Sequence, residues 1–248
     1  MELEGKVILV TGAGGGMGQA IVRKLLAEGA HVAGIDLSEA AMAGLDHERF
    51  TAVGADVLAE EAMAEAFAAV HEAHGRIDSL VNAVGIAQAA APIEDVPLSQ
   101  WRKLLEINAT ALFITSKEAV RYMKARREGA IVTIASISAV RPRPGLQAYI
   151  ASKGAAESFS RALAIEVAPY GIRVNTIHPG PTDTGMLGQF AASGTDAEQA
   201  KKEIFADSVP LGRLVKPDDI ADSVIHLVSD RTKMMTGAVL HVDGGRGL

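Results

Sequence analysis

The chain contains no cysteine. Disulfides, thiolate nucleophiles and cysteine-ligated zinc are therefore excluded. Aromatic residues make up only 4% of its 248 positions, too few for a bulky aromatic core. Alanine and glycine abound instead and favour close helix–sheet packing. No apolar stretch approaches the roughly 18–20 residues that a membrane helix needs. An excess of positive charge is missing as well. The formal net charge of -6 argues against a general nucleic-acid or anionic-membrane surface, yet it is too modest to imply disorder. The first residues, Met1 to Lys6, carry no basic region followed by a long apolar run. No secretory signal is read there, and a cytoplasmic enzyme is expected. The histidines show no H-E-x-x-H arrangement, so no catalytic metal is expected.

What is present points to one domain spanning residues 1–248. Hydrophobic residues amount to 48%, enough to cover a central sheet on both faces. Apolar runs rich in β-branched residues alternate with segments of helical spacing. Strands are expected at 6–11, 30–36, 50–55, 78–82, 130–135, 172–177 and 238–242. Helices are expected at 17–28, 60–74, 98–125, 148–168 and 217–229, with a shorter helical piece at 38–45. Such alternation predicts an α/β fold: a Rossmann-like, doubly wound, mostly parallel sheet with helices on both faces. One polar stretch, near 185–208, breaks the rhythm and is read as a segment covering the substrate.

Between the first strand and the first helix stands Thr11-Gly12-Ala13-Gly14-Gly15-Gly16-Met17-Gly18. Glycines there let backbone approach a pyrophosphate, and the helix N-terminus offers N–H groups and partial positive charge. Asp36 ends the second strand, where a carboxylate can accept both hydroxyls of an adenosine ribose and repel a 2′-phosphate. Its neighbours Ile35, Leu37 and Ser38 supply no cation for such a phosphate. NAD is therefore the expected cofactor. Asp56 and Val57, after the third strand, lie where an adenine ring could rest.

A second constellation carries acid–base chemistry. Tyr149 and Lys153 stand four residues apart at the start of a helix, which puts them on one face. A phenol titrates near ~10, and a nearby ammonium favours its ionised form. Ser136 ends a strand 13 residues before Tyr149, where its hydroxyl can stabilise charge developing on a substrate oxygen. Asn108 sits inside a long helix, at a position that propensity would not choose.

The chain resembles the classical short-chain dehydrogenase/reductase family along nearly its whole length. Thr11–Gly18 is similar to that family's T-G-x-x-x-G-x-G turn, and Asn108, Ser136, Tyr149 and Lys153 follow its catalytic order and spacing. The resemblance implies Tyr149 as acid/base, Lys153 lowering its pKa and holding the nicotinamide ribose, Ser136 orienting substrate, and Asn108 completing a proton relay. Pro179, Gly180, Thr182 and Thr184 resemble the segment that meets the nicotinamide carboxamide, and Asn82 and Ala83 follow the fourth strand beside the cofactor. A homotetramer built on the two long helices is implied too. One departure stands out: where the family usually reads N-N-A-G, this chain reads Asn82-Ala83-Val84-Gly85.

For the substrate, the informative loop is Arg141-Pro142-Arg143-Pro144-Gly145. A guanidinium there can pair with a carboxylate, phosphate or sulfonate, and proline's threefold twist separates the two arginines so that at most one points inward. Arg143, Gln147 and Met186, with Ser136, are the candidate substrate residues. Short phrases such as Pro142-Arg143-Pro144-Gly145 resemble a subgroup, the 2,3-dihydro-2,3-dihydroxybenzoate dehydrogenases, which implies a carboxylated cyclic diol. A 3-oxoacyl-carrier-protein reductase and a polyol or sugar dehydrogenase stay open as alternatives. So does a nucleotide-sensing regulator, which altered forms of Tyr149 or Lys153 would have favoured; both are intact.

Overall fold

A computed structural model describes residues 1–191 and 208–248. Its strands are β1 (Val7–Thr11), β2 (His31–Asp36), β3 (Phe50–Gly54), β4 (Ser79–Asn82), β5 (Gly129–Ile134), β6 (Ile172–Pro179) and β7 (Val239–Val242). All pair in parallel, in the order β3-β2-β1-β4-β5-β6-β7. The helices are α1 (Gly16–Ala27), α2 (Glu60–His74), α3 (Leu98–Leu105), α4 (Ala111–Arg126), α5 (Gln147–Val167) and α6 (Pro217–Val228). No helix among the described residues is long and apolar enough to cross a membrane.

The strand sequences explain the layering. β1 is apolar up to its last residue and buried throughout, as a central parallel strand covered on both faces must be. Successive side chains alternate between faces. Ile8 and Val10 therefore meet Ile21 and Leu25 of α1 and Ile220 and Val224 of α6 on one side. Val7 and Leu9 meet Met63 and Phe67 of α2, Ile114 of α4 and Val167 of α5 on the other. Phe67 is fully buried, and truncation of such a side chain costs about 3–5 kcal/mol. α2 ends where its spacing said it would, at Gly75, whose φ of 71° lies in the left-handed region.

Two expectations need correction. The long helix expected over 98–125 is interrupted by a π-helical turn at Glu106–Thr110. α- and π-turns share much the same apolar spacing, so the pattern could not separate them. The helical piece expected at 38–45 is only a 3₁₀ turn, Glu39–Met42, begun by the Ser38 hydroxyl accepting from the Ala40 N–H. Gly44, and the polar run at 46–49 that follows buried Leu45, deny it a longer apolar face. Of the segment read as covering the substrate, Leu187–Phe190 forms a short 3₁₀ turn; positions 192–207 lie outside the described residues.

Candidate active site

Chain order and sheet order together create the site. After β1 the chain moves outward to β2 and β3; it then returns to place β4 on β1's other side. Thr11 and Asn82, the last residues of β1 and β4, stand side by side. The two connections diverge from there and leave a crevice at the C-terminal ends of the strands.

The glycine-rich turn lines one end of that crevice. Gly12 adopts φ 69° and donates to the Ile35 carbonyl at 2.8 Å. A Cβ there would lie 2.8 Å from the Val84 nitrogen. At Gly18 a Cβ would fall 2.0 Å from the Gly12 carbonyl oxygen, so the first helical turn can close under the loop only with glycine. Asp36 ties β2 to this turn: Oδ2 accepts from the Gly14 N–H at 2.9 Å and Oδ1 from the Leu37 N–H at 2.8 Å. The resulting groove encloses about 530 Å³, bordered by Gly12, Gly16, Met17, Gly18, Asp36 and Leu37. Asp56, Val57, Ala83 and Thr184 complete it. A groove of that size, floored by glycine and bordered by the carboxylates of Asp36 and Asp56, fits a dinucleotide.

The groove opens toward a smaller cleft of about 70 Å³ that contains Ser136, Arg143, Tyr149, Pro179, Gly180 and Thr182. Met186 and Thr184 border both spaces. Ser136 and Tyr149 border this cleft together, and the Tyr149 ring stands edge-on to Phe190 at 4.9 Å. Burial pushes the phenol above its usual value, while the nearby Ser136 hydroxyl and the Arg143 charge act against that. Lys153 is buried, and its ammonium donates to the Ile134 carbonyl at 3.0 Å. Loss of hydration brings it down to about 8. In this arrangement the Lys153 charge is directed at a backbone carbonyl of β5.

Asn108 stands in the π-turn, buried, with both ends of its amide used. Oδ1 accepts from the Ile86 N–H, and Nδ2 donates to the Ile86 carbonyl and to Ser152 Oγ. Gly85 lies beside it: a Cβ there would be 3.1 Å from Lys153 Nζ and 3.2 Å from Asn108 Oδ1. The altered Asn82-Ala83-Val84-Gly85 phrase thus keeps the one glycine that this approach requires.

Two candidate residues point elsewhere. Asn82 does not border the groove with its side chain; its amide donates to Ser116 and accepts from Thr115, both on α4. Gln147 accepts from Gln88 and donates to the Ala91 carbonyl; these contacts hold it outside the cleft. Of the two loop arginines, Arg143 reaches the cleft, donating to the Phe190 carbonyl at 3.2 Å, whereas exposed Arg141 donates to the Arg246 carbonyl. Sequence reasoning missed Gln88, fully buried, whose side-chain Oε1 accepts from the Tyr149 N–H at 2.9 Å. It also missed Arg246, which lines the cleft; its only signal was a cation set among glycines.

Comparison with known proteins agrees with this geometry. A family model described as enoyl-(acyl carrier protein) reductase matches residues 12–246. The 2,3-dihydro-2,3-dihydroxybenzoate dehydrogenase of Bacillus subtilis (strain 168) is 38% identical, over 99% of this chain and 97% of that protein. Among solved structures, a 3-ketoacyl-(acyl-carrier-protein) reductase from Brucella melitensis complexed with NADH superposes with a TM-score of 0.91. It is 35% identical and covers 99% of this chain and 100% of that one. An NAD+-bound xylitol dehydrogenase gives 0.91 at 32% identity, with the same coverage. These neighbours support a nicotinamide cofactor in the groove.

Proposed function

The chain belongs to the short-chain dehydrogenase/reductase family and is an oxidoreductase acting on CH–OH groups, and from that footing we propose that it uses NAD to oxidise a small carboxylated cyclic alcohol or diol. The hydroxyls of Ser136 and Tyr149, brought together in the cleft beside the dinucleotide groove, carry the reaction. Both hydroxyls converge where a substrate oxygen would sit, so Ser136 orients that oxygen and Tyr149 exchanges its proton. When bound, the nicotinamide supplies the acceptor for the hydride leaving the same carbon. Lys153 stands beneath the site as a buried cation near Asn108, whose grip on Ile86 keeps the loop after β4 in place.

Asp36 supports NAD over NADP. Its carboxylate closes the adenosine end of the groove, where a 2′-phosphate would meet negative charge at close range. Arg143 supports the acidic substrate, because its guanidinium borders the cleft beside Tyr149 and can pair with a carboxylate. The name of the Bacillus relative describes such a substrate. A ketoacyl reductase is the second reading, favoured by the NADH-complexed Brucella structure. For assembly, α4 and α5 present exposed Phe113 and Ile165, which supports the homotetramer built on these helices.

NADH formation with a panel of secondary alcohols, half carrying a carboxylate and with NADP run in parallel, tests the proposal. Turnover should be confined to NAD and favour carboxylated rings. Equal activity on neutral alcohols would remove the carboxylate from the proposal, and equal use of NADP would remove the role of Asp36.

A further inference from the structure

The cleft holds a second guanidinium. Arg246 follows β7 on a turn whose backbone is held from two directions. Asp243 Oδ1 accepts from the Gly245 N–H at 2.9 Å and Oδ2 from the Gly247 N–H at 2.7 Å. Gly244 and Gly245 take positive φ, 63° and 89°. Arg141 donates to the Arg246 carbonyl from the opposite side. The loop arginine that turns away from the cleft thus anchors the one that turns into it.

The Arg246 side chain lines the same cleft as Ser136, Tyr149 and Arg143. Its Nη1 is buried and has no hydrogen-bond partner among the described residues. A buried cationic donor without an acceptor is costly, and no carboxylate borders the cleft among the described residues. Burial and the neighbouring Arg141 charge hold Arg246 below its ordinary value, with Asp243 opposing. Arg143, which borders the same small cleft, is lowered by burial and then by the charge of Arg246. One anion placed between them would supply the missing acceptor and relieve the repulsion together.

We propose that Arg246 is a substrate-binding residue: with Arg143 it forms a two-sided clamp for the carboxylate of the substrate, held opposite the Ser136–Tyr149 pair. The clamp rests on the acidic-substrate reading above and deepens it, since the segment after β7 then takes part in choosing an acid over its neutral counterpart. A structural role alone leaves Nη1 without a partner.

The test uses enzyme preloaded with NAD and titrated calorimetrically with 2,3-dihydroxybenzoate and, separately, with its carboxamide. Wild type should bind the acid more tightly. Arg246→Gln should cut the acid-to-amide ratio by about tenfold or more, the scale of a lost charge-assisted hydrogen bond. Arg246→Lys should restore part of it, which a merely structural role would not produce. If wild type prefers the acid and Arg143→Gln removes the preference while Arg246→Gln keeps it, the clamp is overturned and the acidic-substrate reading stands. If wild type binds both probes alike, or neither, both fall.

Discussion

Asn108 grips Ile86 at both ends of one residue's backbone. Oδ1 accepts from the Ile86 N–H at 2.8 Å, and Nδ2 donates to the Ile86 carbonyl at 3.1 Å. The same amide nitrogen donates to Ser152 Oγ at 2.9 Å, and that hydroxyl donates onward to the Tyr149 carbonyl at 2.7 Å. The π-turn makes this reach possible by widening the helix where the asparagine must face the loop after β4. Asn108→Ala should lower stability by roughly 1–3 kcal/mol, the cost of leaving buried backbone groups unpaired. Urea denaturation followed by circular dichroism measures it. An unchanged midpoint would mean that water replaces the amide.

Tyr149 is buried against Phe190 and shares its cleft with Ser136. Tyr149→Phe keeps the ring packing and deletes the hydroxyl. Turnover should fall by about 10²–10⁴-fold, the usual worth of a positioned acid–base group. NADH binding, read from its fluorescence, should remain. Preserved turnover would remove Tyr149 from the chemistry.

Asp36 has two jobs in the proposal: it holds the Gly14 N–H and faces the adenosine ribose. Asp36→Ala should weaken NAD binding by about tenfold or more and narrow the gap between NAD and NADP. Equilibrium titration with both dinucleotides decides this. Weaker NAD binding with the same gap would leave Asp36 as a support for the turn alone.

Buried His178 stacks on the exposed ring of His241, with centroids 5.3 Å apart. His178 is fully buried, and neither ring nitrogen has a hydrogen-bond partner among the described residues, although Glu157 Oε2 lies 3.3 Å from Nε2. That carboxylate is close without being aligned. Burial lowers His178 to about 4, with Glu157 acting the other way. A depressed pKa makes the folded state bind fewer protons than the unfolded chain between that value and the ordinary ~6.5. Stability from this group is complete above ~6.5 and is lost as pH falls toward 4, by at most about 3 kcal/mol at ~1.4 kcal/mol per unit. His178→Leu should flatten the acid limb of a stability-against-pH curve and fold normally at neutral pH. An unaltered acid limb would place the effect in other groups.

How far the chain could be read in advance follows from what each motif constrains. The turn from Thr11 to Gly18 was legible because its glycines answer to local backbone geometry, as the close approaches at Gly12 and Gly18 show. Asp36 was legible because it ends a strand whose neighbour begins the turn. The spacing of Tyr149 and Lys153 stated which face they share but not what Lys153 would touch, since the Ile134 carbonyl belongs to a different element. Asn82 and Gln147 were misplaced for the same reason: position along the chain does not reveal which side a side chain takes when α4 or Gln88 offers partners. Arg246 was invisible because its role arises only when β7 packs beside β6 and carries the following turn to the mouth of the cleft.

Gly15 and Gly18 separate the two uses of glycine in one turn. Gly15 has φ -74° and ψ 162°, a conformation open to any residue, and a Cβ there would meet nothing nearer than 3.4 Å. It borders the groove, so an added methyl group would intrude only on a bound dinucleotide. Gly18 lies within α1, and its Cβ would fall 2.0 Å from the Gly12 carbonyl oxygen, a collision with backbone that no rotamer relieves. Gly15→Ala should therefore leave the thermal midpoint near wild type and weaken NAD binding several-fold. Gly18→Ala should lower the midpoint by several degrees, at ~2–4 °C per kcal/mol for a chain of this size, and lose NAD binding with it. Thermal unfolding with and without NAD distinguishes them. A Gly15→Ala variant with unaltered NAD affinity would show that the pyrophosphate does not pass over Gly15, and a stable Gly18→Ala variant would show that α1 can shift away from the loop.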